Sequence, residues 1–170
     1  MIATANADGS LKITPVDDLD VVITRTFDAP RRLVWDAHTK PDLLARWFGV
    51  FDGWTLDECD LDLRVGGAYR YVWRNLSRDH DTIIVGVFRE ITPPGRLVYT
   101  ERFEAPFVSD GDAVNTAVFE ERNGRTLLTL TAHVDSVEAR EAMLASGMEV
   151  GLVPSYATLD ELLRSMARPV

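Results

Sequence analysis

Between residues 21 and 134, apolar and polar positions alternate in short runs, and strands account for most of the chain. The runs fall at 21–27, 54–63, 69–74, 82–91, 97–103, 113–121 and 126–134. After the first of these, the stretch Phe27 to Trp47 reads as a strand end entering two short helices. Asp28 is placed to cap the first helix, with Pro30 in its first turn, where a missing N–H costs nothing. Thr39 is placed to cap the second, which carries Pro41 and Asp42 in its first turn and Leu43, Leu44 and Trp47 as its apolar residues. Gly66-Gly67 and Pro93-Pro94-Gly95 mark turns, and Asn123-Gly124 is a strong hairpin cue.

The last element changes period. From a cap at Ser136, residues Ala142, Leu144, Met148, Leu152, Tyr156, Leu159, Leu163 and Met166 recur at three- and four-residue steps. Gly147, Gly151 and Pro154 interrupt this stripe. Because its phase survives the proline, one long kinked helix is expected; the alternative is a break into two helices near Pro154. Residues 1–20 are small, polar and acidic, and read as a loosely ordered tail with a short extended piece around Leu11–Ile13. Residues 21–170 are then a single α+β domain of about six or seven antiparallel strands around a long C-terminal helix.

The alternation also assigns faces. Arg70 and Arg74 must reach water, which turns Tyr69, Tyr71 and Trp73 inward. Leu97, Tyr99 and Phe103 share a face with Glu101; Ala117 with Phe119; and Leu128 with Leu130 and Ala132. Met143, Met148, Leu152 and Tyr156 face the same interior from the helix. Taken as residues alone, this aromatic set is a filled core.

Composition narrows the partners. Asp and Glu outnumber Lys and Arg by 27 to 18, a formal charge of −9, which disfavours nucleic acid and anionic membrane. No run approaches transmembrane length, no leader-like apolar segment follows Met1, and a lone Cys59 can form no internal disulfide. A cytoplasmic protein is expected.

Particular segments carry a resemblance. Phe27–Trp35, Leu43–Gly49, Asp62–Arg74, Gly86–Glu101 and Ala145–Leu152 are similar, in order and spacing, to the activator-of-heat-shock-protein-90-ATPase-like family. That family lies within the START/birch-pollen-allergen helix-grip superfamily (SRPBCC). The resemblance spans about residues 21–166. It implies a helix-grip fold, two short helices after the first strand, and a cavity between the curved sheet and the C-terminal helix. Its expected ligand-binding residues here are Tyr69, Tyr71, Trp73, Tyr99, Glu101, Phe103, Phe119, Met143, Met148, Leu152 and Tyr156. Many relatives carry Trp at the position of Met148; plain core variation is the preferred reading of this difference, and the alternative is a flexible thioether that enlarges or softens the pocket. The superfamily's members often dimerise, which puts a homodimer among the arrangements to test.

Catalytic signals are sparse. No nucleophile elbow, phosphate loop or zinc-protease motif occurs, and the histidines His38, His80 and His133 have no metal-ligand spacing. His38 reads as a helix-end or surface residue and Cys59 as a half-buried small residue. Asp57, Glu58, Asp60 and Asp62 read as a solvated outer face, not a calcium loop. No cofactor and no metal are expected. Glu101 is the one candidate acid, because desolvation among aromatic rings would raise its pKa; the alternatives are a bulge that turns it outward or an ion pair with Arg102 or Arg70. Three functions follow: a binder of a small hydrophobic or aromatic molecule (the preferred reading), a cyclase-, dehydratase- or hydrolase-like enzyme using the same space, or a cochaperone-like module with a chaperone as its partner.

Overall fold

The computed structural model describes residues 4–5 and 10–168. Its strands are β1 (Thr4–Ala5), β2 (Leu11–Pro15), β3 (Asp20–Phe27), β4 (Trp54–Leu61), β5 (Ala68–Asn75), β6 (Thr82–Thr92), β7 (Arg96–Ala105), β8 (Ala113–Arg122) and β9 (Arg125–His133). Helices α1 (Arg31–Thr39) and α2 (Pro41–Leu44) follow β3, and α3 (Val137–Ala145) and α4 (Met148–Ala167) close the chain. All strands pair antiparallel in one sheet of order β1-β2-β3-β9-β8-β7-β6-β5-β4. The α+β helix-grip architecture is as expected, but the described strands number nine where six or seven were expected.

The additional strands come from the segment read as a tail. The extended piece around Leu11–Ile13 is a five-residue strand registered on β3, with Leu11 opposite Arg25 and Ile13 opposite Ile23. Leu11 and Ile13 are buried, so this strand contributes to the core. Residues 1–3 and 6–9 of the expected tail lie outside the described residues.

Register places one apolar face on the concave side. Tyr71 pairs with Cys59 and Ile84, Tyr99 with Asn115, Ala117 with Leu130, and Arg25 with Leu128. The Asn123-Gly124 turn has both residues at positive φ, 54° and 74°, and joins β8 to β9 with Arg122 opposite Arg125. That two-residue geometry matches strand twist and keeps the simple register that turns Ala117 and Phe119 inward.

The helices depart from expectation in three respects. Asp28 does not cap α1: Pro30 occupies the cap position without a side-chain bond, and Glu121 from β8 accepts from the Arg31 N–H at 2.6 Å. Thr39 does not cap α2; its buried hydroxyl donates to the Trp35 carbonyl at 2.8 Å, and Lys40 holds the cap position. The C-terminal stripe is neither one continuous helix nor broken at Pro154. It breaks at Gly147, whose φ of 74° ends helical geometry, while α4 runs through Pro154. Ser136 does cap α3, accepting from the Ala139 N–H at 3.1 Å.

Candidate functional site

The concave face has two unlike ends. Where α1, α2 and the part of α4 from Tyr156 onward cover the sheet, rings interlock. Trp47 stacks on Tyr156 at 5.9 Å, Phe27 meets Tyr156 edge-on at 5.5 Å, and Trp35 meets Phe119 at 5.6 Å. Each of these residues is buried, so Phe119 and Tyr156 act as packed core. His38 lies inside this end. Its ring centroid is 4.9 Å from Trp47 and 5.3 Å from Phe119. The Nδ1 lies 2.7 Å from the Val34 carbonyl, to which it must donate, and Nε2 is buried without a partner. His38 stands in the last turn of α1, as the helix-end reading has it, but the surface reading is corrected: burial pushes its pKa down to about 4.

At the other end the same sheet faces α3 and the start of α4. Tyr99, Glu101, Phe103, Leu130, Met143, Leu144, Met148 and Leu152 are all half-buried. Glu101 nonetheless sits deep in the protein. Desolvation raises its pKa to about 7, opposed only by a hydrogen bond from the Asn115 amide at 3.2 Å. Glu101 is thus enclosed on the inner face while part of its surface stays accessible.

Neither alternative for Glu101 occurs. Pairing between β6 and β7 keeps one register through this point, with Val85 opposite Arg102 and Phe88 opposite Tyr99; its irregularities lie on either side, between Ile83 and Ile84 and between Phe88 and Glu90. Glu101 therefore stays on the inner face beside Asn115, while Arg102 lies 3.7 Å from Asp112 and Arg70 is held by Glu58 at 2.6 Å. Gly86 makes room on this stretch of β6. A Cβ there would lie 1.9 Å from the Thr100 carbonyl oxygen and 2.5 Å from the Tyr69 hydroxyl, so only glycine lets Tyr69 donate to that carbonyl.

The structure brings Tyr69, Tyr71, Trp73 and Tyr99 together as a ring wall. Centroids are 4.9 Å apart for Tyr69–Tyr71, 5.9 Å for Tyr69–Tyr99 and 5.9 Å for Tyr71–Trp73. Burial raises the pKa of Tyr69, Tyr71 and Tyr99, with the nearby Glu101 carboxyl a smaller contributor in each case. Phe48 closes the wall against Tyr71 and Trp73, and the Trp73 indole donates to the Phe48 carbonyl at 2.8 Å. Phe103 instead stacks on the exposed Phe107 at 4.9 Å.

Two residues escaped the sequence reading. Asn115 is buried on the inner face of β8, its amide shared between Glu101 and Tyr99 and its Oδ1 without a partner. A lone Asn on the same parity as Ala117 and Phe119 was the available signal. Ser155, buried on α4, accepts from the Gly49 N–H at 3.0 Å and ties the loop after α2 to the helix.

An open depression of about 730 Å³ lies toward the sheet edge formed by β4 to β7. Its lining includes Cys59, Leu61, Tyr69, Arg70, Thr100 and Arg102, but none of Met143, Met148, Leu152 or Tyr156. Of the eleven residues expected to bind ligand, Tyr69 alone borders it. Cys59 is half-buried there as expected, its thiol pushed up to about 11 by burial. The acidic strand residues work on the outer surface: Glu58 reaches both Arg70 and Arg74, and Asp57 accepts from the Thr55 hydroxyl. Among the described residues, no helix is long and apolar enough to cross a membrane.

Comparison with known proteins agrees with this geometry. A protein from Rhodobacter sphaeroides is 28% identical, with a TM-score of 0.82 over 92% of this chain and 99% of that one. A protein from Nitrosomonas europaea is also 28% identical, with a TM-score of 0.74 over 90% and 99%. A protein from Mycobacterium smegmatis, at 23% identity and a TM-score of 0.76 over 89% and 96%, shares the fold. No curated protein sequence matches significantly. The family model described as activator of Hsp90 ATPase homolog 1-like protein matches residues 28–164, and the chain belongs to that family.

Proposed function

We propose that the protein binds a small, largely apolar or aromatic molecule at the half-open end of the concave face, as a carrier, sensor or sequestering protein. One observation carries the reading: Tyr99, Glu101 and Phe103, in the middle of the sheet, stay partly accessible, as do Met143, Met148 and Leu152 on the helices that pack on the same core. Apolar walls with a few convergent polar groups are the ordinary make-up of a small-molecule site. The thioethers of Met143 and Met148 can repack around different shapes, which suits a ligand that enters between α3, α4 and the sheet.

A second reading has its own support. A carboxyl with a pKa of about 7 can give or take a proton near neutrality, so Glu101 could serve a cyclase- or dehydratase-type reaction in the same space. Binding comes first in either case. The test is amide NMR of labelled protein against fatty acids, sterols, flavonoids and aromatic polyketides. Saturable shifts confined to residues 69–73, 97–103 and 143–156 are the expected result. No shifts, or shifts scattered over the outer strands, would overturn the ligand reading and favour a protein partner. Product formation by any bound compound would select the enzyme.

A further inference from the structure

Two acceptors of this end, the Glu101 carboxylate and Asn115 Oδ1, face no cation among the described residues. Facing a carboxylate oxygen, the Asn115 amide presents its NH2, which leaves Oδ1 buried and unpartnered. A buried acceptor left empty keeps its desolvation penalty, so a ligand that brings a donor to it gains affinity. Glu101 has the Asn115 amide as its described partner and no cation beside it.

The charged groups on every surrounding element bear this out. On β7, Arg102 points to the opposite face toward Asp112; on β5, Arg70 and Arg74 are held by Glu58 on the outer surface. Arg25 on β3 is paired with Asp160 at 2.7 Å, and Arg140 on α3 is bound to the Asp17 carbonyl and Glu141. Opposite Glu101, β6 offers Gly86 and β8 offers Ala113 and Asn115. The rings of Tyr69, Tyr71 and Tyr99 lie within electrostatic reach of Glu101, and the uncharged Met143, Met148 and Leu152 of the helices pack on the same core. Glu138 and Glu141 on α3, Glu149 on α4 and Asp110 in the β7–β8 connection add only negative charge.

Resting on the pocket reading above, we infer that the site selects a protonated organic amine with an aromatic or aliphatic body: its ammonium donates to Glu101 and to Asn115 Oδ1, inside the ring wall of Tyr69, Tyr71 and Tyr99. Aromatic faces attract a cation through their quadrupole, most strongly where water is excluded. A neutral apolar molecule would leave the carboxylate and the amide oxygen unanswered, and an anion would meet like charge. Since the ammonium favours the ionised carboxylate, its binding strengthens as Glu101 loses its proton.

The test compares three molecules of nearly one size: 2-phenylethylammonium, 2-phenylethanol and propylbenzene, titrated by amide NMR at about pH 6 and about pH 8. The ammonium is expected to bind tightest and to gain roughly tenfold in affinity across that interval, following Glu101 ionisation. The two neutral molecules are expected to change little. Glu101→Gln should remove both the preference and the pH dependence, and the wild-type pH profile decides the matter even if that variant does not fold. Equal, pH-independent binding of all three would overturn the amine inference and leave the pocket standing, as would a preference for the alcohol. No binding by any of the three, with none from the wider ligand panel, would overturn both.

Discussion

The two ends of the concave face are built on the same strands and the same helix, yet one is solid and the other is not. At the solid end, Phe27, Trp35, Trp47, Phe119 and Tyr156 are buried ring against ring, and the polar atoms among them are mostly answered. Trp47 donates to the Ala37 carbonyl at 2.9 Å and Thr126 to the Ala29 carbonyl at 2.7 Å. At the other end, α3 has no buried residue, thioethers replace rings on the helical side, and Asn115 keeps an unanswered oxygen. Rigid rings fill volume in one arrangement, whereas flexible thioethers can adopt several. Close packing and partial accessibility are thus divided between the two ends.

Truncation should expose that separation most strongly. Phe119→Ala, at the solid end, is expected to lower unfolding free energy by about 3–5 kcal/mol, the usual range for an aromatic side chain removed from a closed core. Phe103→Ala, at the open end, starts from a half-exposed ring stacked on Phe107 and is expected to cost about 1 kcal/mol. Urea unfolding of both variants gives the comparison. Equal losses would mean that the open end is packed as firmly as the other, and that no ligand space exists there.

The ends also carry one titrating group each, shifted in opposite directions by the same cause. His38 has a folded pKa of about 4, below its ordinary 6.5, so the unfolded chain takes up the proton first. Its contribution is fully present above about pH 6.5 and is lost as pH falls toward 4, by up to about 3 kcal/mol. Glu101 has a folded pKa of about 7, above its ordinary 4.5, so the unfolded chain loses the proton first. Its neutral form supports the fold fully below about pH 4.5, and that support declines as pH rises toward 7, also by up to about 3 kcal/mol. Denaturant midpoints across pH 4 to 8 should therefore resolve two opposed slopes. His38→Phe should flatten the acid side, and Glu101→Gln should raise stability near pH 8 while changing little near pH 4. A Glu101→Gln variant that is no more stable at pH 8 would show that the carboxylate is well solvated and the open end wide.

Much of this division could be read from residue order, and the failures are instructive. The inward turn of Tyr69, Tyr71 and Trp73 followed from the need of Arg70 and Arg74 for water, and the β8–β9 register followed from Asn123-Gly124. What escaped depended on distant partners. Asp28 was the better local cap, but Glu121, ninety positions later, reaches the Arg31 N–H. His38 stands one helical turn after the buried Val34, so its inward direction was visible, but the ring cage closes only when Trp47 and Phe119 arrive. The strand at Leu11–Pro15 alternates apolar and polar residues, a signal outweighed by its acidic, small-residue surroundings. The helix does continue through Pro154, but the stripe breaks at Gly147. A proline removes one N–H and can be carried by a packed helix, whereas a residue at φ 74° ends helical geometry wherever it stands.

Gly147 gives the smallest but most discriminating test. It joins α3 to α4 at the open end, and a Cβ there would meet only Val150 Cγ2 at 3.8 Å. The cost of Gly147→Ala is therefore conformational, about 1 kcal/mol for a side chain held in the left-handed region. Gly124 is its internal control: it has the same φ of 74°, with nothing within 4 Å of an added Cβ, in the β8–β9 hairpin. A hairpin register admits no easy relaxation, so Gly124→Ala should show the full loss in global unfolding. At residue 147 the strain can be relieved by letting α3, which buries no side chain, rotate or fray. Gly147→Ala should accordingly cost less globally, speed hydrogen exchange across residues 137–145, and weaken ligand binding through displacement of Met143 and Met148. If both substitutions cost the same and exchange in α3 is unchanged, then α3 belongs to the same cooperative unit as the sheet. The open end would then owe its accessibility to side-chain choice alone, with no contribution from a yielding helix.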